Sequence, residues 1–183
     1  MDPEEKKYPR RRSVRLRDFD YASNGAYSVT VCTRQRECLF GEIKDGELIL
    51  NDLGRMVEKA WREIPNHFPS VFLDTFVLMP NHLHGILLID NGRTGTACRA
   101  PTTESYQHPV PGSVSTVVRS FKAAVTKRVR EQSGDPFVVI FQRGFHENVI
   151  TSRGEHLALR AYITRNPLAW DEDENNPGHS DIQ

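Results

Sequence analysis

The chain is expected to fold as an α+β protein in which an antiparallel sheet packs with helices. Segments rich in β-branched and aromatic residues alternate with segments of helical periodicity. Turn-forming pairs, Asp45-Gly46 and Pro80-Asn81, separate adjacent apolar runs, which makes the flanking strands antiparallel. The 183 residues, 38% hydrophobic, suffice for one core.

Each element has its own local reason. Residues 1–24 are polar and basic and read as an arm. "GAYSVTVCTR" (25–34) predicts a strand. "GEIKDGELIL" (41–50) places Asp-Gly between short alternating runs and predicts a hairpin. In "NDLGRMVEKAWREI" (51–64), Asn51 is a capping residue, and Leu53, Met56, Val57, Ala60, Trp61 and Ile64 share one helical face. "VFLDTFVLM" (71–79) predicts a strand that turns at Pro80-Asn81 and returns as "HLHGILLI" (82–89). Residues 90–112 are rich in Gly, Pro, Ser and Thr and read as a mobile loop. A helix over 113–132 follows, with Val114, Val117, Val118, Phe121, Val125 and Val129 on its apolar face. A strand is expected around 137–141, an edge strand at 146–150, and a last helix over 152–166 that stops before Pro167. The order β, hairpin, α, β, β, α, β, α is close to a ferredoxin-like layout.

Twenty-four basic residues balance twenty-four acidic ones, so bulk charge does not announce a polyanion partner. The distribution is uneven: residues 1–40 hold nine Lys/Arg against six acids, and 113–135 hold five against two. Such segments suit a polyanion and are equally what a solvated surface shows. The tail, 171–183, carries Asp171, Glu172, Asp173, Glu174 and Asp181 with no Lys or Arg. It reads as a segment that keeps polyanions off one face, or that does nothing. Three cysteines without a CxxC pair argue against a disulfide scaffold and a cysteine zinc site. No secretory leader and no run of 18 apolar residues is seen, so a membrane is not expected and a cytoplasmic location is.

Within the apolar run 76–89, His82 and His84 stand one residue apart. On a strand they share a face, and two parallel imidazoles can converge on one divalent metal. The pair is weak evidence by itself, because two half-buried histidines bonded to backbone groups give the same pattern. On the last helix, Tyr162 and Asn166 stand at i and i+4, one turn apart on one face. Brought against the histidines, Asn166 could complete a three-ligand site, and the phenol could attack a phosphorus polarised by the metal.

The segments "VLMPNHLHGILLI", "SFKAAVTKRV", "FQRGFHENVI" and "YITRNPLAW", in this order, resemble the single-tyrosine HUH transposases, most closely the REP-associated tyrosine transposase (RAYT) branch. The resemblance covers about residues 10–175. It implies a ferredoxin-like or RRM-like domain over 25–170 with the HUH motif on a central strand. It implies His82, His84 and Asn166 as ligands of Mg²⁺ or Mn²⁺ and Tyr162 as the catalytic nucleophile. It also implies single-stranded DNA with hairpin, REP-like palindromic elements as partner, a phosphotyrosine intermediate and strand transfer. The enzyme would be a monomer or homodimer in a bacterial cytoplasm, associated with the nucleoid. Phe141 departs from the tryptophan common before Gln-Arg in relatives and is expected to keep the packing, with base stacking a further use.

Arg10, Arg11, Arg12 and Arg15 in the arm, Arg119, Lys122, Lys127 and Arg130 on the second long helix, and Arg143 are the candidate DNA contacts. Gln142 and His146 could border the site, and His146 reads equally as a surface residue. Two rival functions fit the same residues: a nucleic-acid-binding module without chemistry, and a metal nuclease in which water attacks and Tyr162 is structural.

Overall fold

The computed structural model describes residues 23–92 and 110–178. Arg10, Arg11, Arg12, Arg15, Cys98 and the interior of the loop expected over 90–112 lie outside the described residues. The elements, in chain order, are β1 (Gly25–Cys32), the hairpin β2 (Gly41–Lys44) and β3 (Glu47–Leu50), and helices α1 (Asp52–Arg62) and α2 (Ile64–His67). They continue with β4 (Val71–Leu78), β5 (His82–Ile89), α3 (Val114–Ser133), β6 (His146–Ile150) and α4 (Arg153–Arg165). The main sheet is antiparallel in the order β4-β5-β1-β6, with the hairpin separate. Setting the hairpin and the short α2 aside, this is the ferredoxin-like arrangement, and β5 is a central strand.

Local chemistry accounts for the boundaries. Asn51 caps α1 by accepting from the Gly54 N–H at 2.9 Å. Asp45 and Gly46 both take positive φ (52° and 77°), as a two-residue hairpin turn requires. Ser152 caps α4 by accepting from Glu155 N–H at 3.1 Å, and the Glu155 carboxylate returns to Thr151 N–H at 2.8 Å.

Alternation along the strands divides the sheet into two faces. Tyr27, Val29 and Val31 of β1 and Leu83 and Leu87 of β5 are buried in one core with Val57, Trp61, Val118 and Phe121 of α1 and α3. Trp61 meets Phe121 edge-on at 5.2 Å. A Cβ at position 85 would fall 2.6 Å from the Trp61 ring, so Gly85 is what lets α1 seat against the strand that carries both histidines.

The strand expected around 137–141 is not formed. Residue Phe141 makes one isolated bridge to Thr33, with Arg34 N–H donating to Ile140 O and Gln142 N–H to Cys32 O. The cause is the partner: β1 ends at Cys32, and the chain then enters a 3₁₀ turn at Arg34–Arg36 in which Gln35 has φ 56°. No edge is left for a ladder. Side chains of α3 hold the segment instead: Lys122 donates to the carbonyls of Gln142 and Gly144, and Arg130 to that of Val138. Phe141 is 5% exposed, packed between Phe40 and Phe121, so it has packing and no free face for a base.

On the opposite face α4 packs chiefly on β4. A bulge between Leu73 and Phe76 places Asp74 and Thr75 against this helix. Asp74 accepts from His156 Nε2 at 2.6 Å and lies 3.5 Å from Arg160 Nε, which donates to Thr75 at 3.1 Å. Asp74→Ala is expected to speed amide exchange along α4 by about 10-fold or more, the scale of a lost charged hydrogen bond. β1 and β5 should keep their protection. Unchanged exchange in α4, followed by mass spectrometry, would remove this contact as the clamp on the helix.

Candidate active site

His82 and His84 project from the face of β5 that meets α4, with ring centroids 4.5 Å apart. Each is oriented through Nδ1. Asn81 Nδ2 donates to the carbonyls of Arg36 (2.9 Å) and Asn175 (2.6 Å), which leaves its Oδ1 facing His82 Nδ1 at 2.8 Å. An amide oxygen can only accept, so His82 carries its proton on Nδ1 and presents a lone pair at Nε2. His84 Nδ1 shares a 2.7 Å hydrogen bond with the Thr30 hydroxyl, its cross-strand partner. Asn81 is therefore more than the turn residue its position suggests. It fixes the tautomer of the histidine beside it.

α4 brings Tyr162 onto this pair, its ring 5.5 Å from that of His84. Asn166, one turn on, is buried and adjoins both His82 and Tyr162. The helix ends there, and Pro167 opens a 3₁₀ run, Asn166–Glu172, that folds the chain back. Trp170 thereby lies 6.2 Å from the His82 ring, and Asp173 follows. Asp173 Oδ1 accepts from Asn175 N–H and Nδ2 at 2.7 and 2.9 Å, while Oδ2 stands 3.8 Å from His82 Nε2. The sequence reads the acidic tail as a segment that keeps polyanions off one face, or that does nothing. Asp173 and Asn175 are in fact buried: the Asn175 carbonyl accepts from Asn81 Nδ2, and the Asp173 carboxylate is held by Asn175 with its Oδ2 facing His82.

Four buried acceptors, His82 Nε2, His84 Nε2, Asn166 Oδ1 and Asp173 Oδ2, find no hydrogen-bond partner among the described residues. The ligand atoms of His82, His84 and Asp173 lie within 4.8 Å of one another. Buried acceptors without donors are costly, and a buried carboxylate more so. A divalent cation bound at about 2.0–2.2 Å would need only small side-chain movements and would neutralise the cluster. Imidazole nitrogen with carboxylate and carboxamide oxygen suits first-row divalent ions. The residues present therefore could hold a metal, with Asp173 a donor that sequence reasoning missed. Its only signal was a lone Asp-x-Asn turn in a run of acids.

Burial, reinforced by neighbouring His84, lowers the His82 pKa from 6.5 to about 3 against the pull of Asp173. Burial lowers that of His84 to about 4, again opposed by Asp173. Both rings are thus neutral, as metal ligands must be. Tyr162 is half exposed, and burial and Asp173 push its phenol above the usual value, partly offset by Asn166. Unfolding releases both histidines to protonate near pH 6.5, so the unfolded chain binds more protons below that pH. Stability is expected to be full above pH 6.5 and to fall as pH drops toward 4 and then 3. The upper limit is about 1.4 kcal/mol per pH unit for each ring. Urea titrations of the metal-free protein at pH 7, 6 and 5 should show the slope, and a His82→Gln, His84→Gln variant should flatten it.

The basic candidates divide. Lys122 and Arg130 are engaged with backbone carbonyls, Lys127 is exposed beside Glu131 at 3.8 Å, and Arg119 and Arg143 are exposed. Among the described residues, no helix is long and apolar enough to cross a membrane.

No family model matches the chain. An uncharacterized protein of Haemophilus influenzae is 38% identical over 167 residues, covering 90% of this chain and 92% of its own length. Among solved structures, a REP-associated tyrosine transposase bound to a REP hairpin is similar at a TM-score of 0.54 and 20% identity, over 80% of this chain and 68% of that one. At that identity the likeness is one of fold.

Proposed function

The chain belongs to one family with the Haemophilus influenzae protein, and from that premise we propose that it is a metal-dependent single-stranded DNA endonuclease and strand transferase of the transposase kind. The observation that carries the proposal is the meeting, within one chain, of Tyr162 with the orphaned acceptors of His82, His84, Asn166 and Asp173. The likeness of fold to a transposase bound to a DNA hairpin supports the same substrate here, single-stranded DNA with a hairpin element.

His82, His84 and Asn166, with Asp173 as a fourth donor, would hold Mg²⁺ or Mn²⁺. The ion when bound supplies Lewis-acid polarisation of a phosphate oxygen. The chain's own residues do the rest. Asn81 and Thr30 hold the imidazoles in their ligand orientation. α4, clamped on β4, holds the Tyr162 hydroxyl where it meets the phosphorus. The Tyr162 Oη–P bond forms as the P–O3′ bond breaks, leaving a 5′-phosphotyrosine and a free 3′ end. The phenolic proton passes to solvent, to which the half-exposed side chain is open, and O3′ takes one back. A returning 3′-hydroxyl reverses the step without an external energy source.

Arg10, Arg11, Arg12, Arg15, Arg119, Lys127 and Arg143 are proposed to contact phosphates directly, while Lys122 and Arg130 shape the segment that presents Arg143. The test is incubation with end-labelled hairpin oligonucleotides and Mn²⁺. A protein–DNA adduct stable to denaturation is expected. Cleavage without an adduct would point to water as nucleophile, and binding with no cleavage under any metal to a binding module.

A further inference from the structure

α4 packs chiefly on the β4 side of the sheet face that carries the histidines and touches β5 and β6 less. On β1, Thr30, whose hydroxyl bonds His84, and the buried Cys32, which pairs in register with His82, belong to the same face. His146, the register partner of Thr30, flanks them at the sheet edge. Together with Gln142 and Arg143 they line a cleft of about 510 Å³. That lies within the range of about 300–1,000 Å³ typical of sites for small ligands. Its wall is the segment Gln142–Gly144, pinned by Lys122, and Gln142, Arg143 and His146 belong to its lining.

The chemistry says what belongs there. Displacement at phosphorus needs the attacking and leaving oxygens on opposite sides, roughly in line. Tyr162 approaches from the α4 side, so O3′ departs toward the β1–β6 side, where this cleft opens beside the histidines. We propose that the cleft is the subsite for the nucleoside immediately 5′ of the cleaved bond. It holds the released 3′ end in place while the other end stays on Tyr162. Arg143 meets the phosphate on that nucleoside's 5′ side, and Gln142 and His146 border its base. A strand end held there re-attacks readily, and one that leaves can be exchanged for another, so the cleft governs whether cleavage is reversed or becomes transfer. This rests on the reading of Tyr162 as the nucleophile.

The test uses the full chain and a short oligonucleotide whose 3′-terminal residue is 4-thiothymidine with a free 3′-hydroxyl. After irradiation with Mn²⁺ present, the cross-link is expected within residues 142–146 or 30–32 by peptide mapping. A Gln142→Ala, His146→Ala variant should lose about 10-fold in cross-link yield, as for a lost base contact. Its affinity for a hairpin lacking that nucleotide should stay within about 2-fold. A cross-link elsewhere, or a yield unmoved in the variant, overturns the subsite even where the Tyr162 adduct forms. A cross-link at 142–146 in a protein that never forms the adduct retains the cleft as a strand-end site and removes the nucleophile reading alone.

Discussion

Tyr162→Phe is expected to abolish the covalent protein–DNA adduct while leaving hairpin binding within about 2-fold, because a half-exposed hydroxyl contributes little to a surface built on phosphate contacts. The effect should be the largest of any single substitution. No other tyrosine among the described residues approaches the acceptors, since Tyr27 is buried on the core face of β1 and bonded to Ser23 O at 2.8 Å. The variant keeps the ring that lies against His84, so metal affinity and thermal stability should barely move. Denaturing gels of end-labelled substrate read the outcome directly. Strand cleavage at wild-type rate in Tyr162→Phe would show that water attacks, and would sink the phosphotyrosine reading while leaving the metal site standing.

His82→Ala should be nearly as severe at the metal. Even partners outside the ligand shell cost roughly 10–100-fold in metal affinity, so loss of a fully buried ligand should cost about 100-fold or more. Isothermal titration with Mn²⁺ measures it, and activity should fall in parallel. Asn81→Ala leaves all four acceptors in place but frees the His82 tautomer, and should fall within that outer-partner range. Asp173→Asn separates two versions of the site. If Asp173 is a ligand, affinity drops and the metal-free protein loses a buried charge that faces His82. If Asn166 alone supplies the oxygen, affinity is unmoved. Equal Mn²⁺ binding by wild type and His82→Ala would overturn the site as drawn.

Much of this is legible in the sequence. The helix over 51–64, the hairpin at Asp45-Gly46 and the turn at Pro80-Asn81 rest on contacts within a few residues, where periodicity and backbone preference act directly. The same holds for the shared face of His82 and His84 and for Tyr162 and Asn166 one turn apart. The strand expected at 137–141 failed because a strand needs a partner, and whether β1 runs past Cys32 is invisible in the apolar run itself. The Asp74 clamp depends on a bulge in β4, which alternation alone does not announce.

The sequence by itself determined the elements and the pairing of the two imidazoles, because each is written in spacings of two to four residues; the link to Tyr162 came from the order of the longer segments that carry the resemblance. Only the tertiary structure decided that the acidic tail enters the site. Asn81 reaches Asn175 across 94 positions, and Asp173 meets His82 across a comparable distance. No local preference encodes such a contact. It exists because the helix ends at Asn166, the 3₁₀ run turns the chain back, and a buried carboxylate finds the histidines that a cation would share with it.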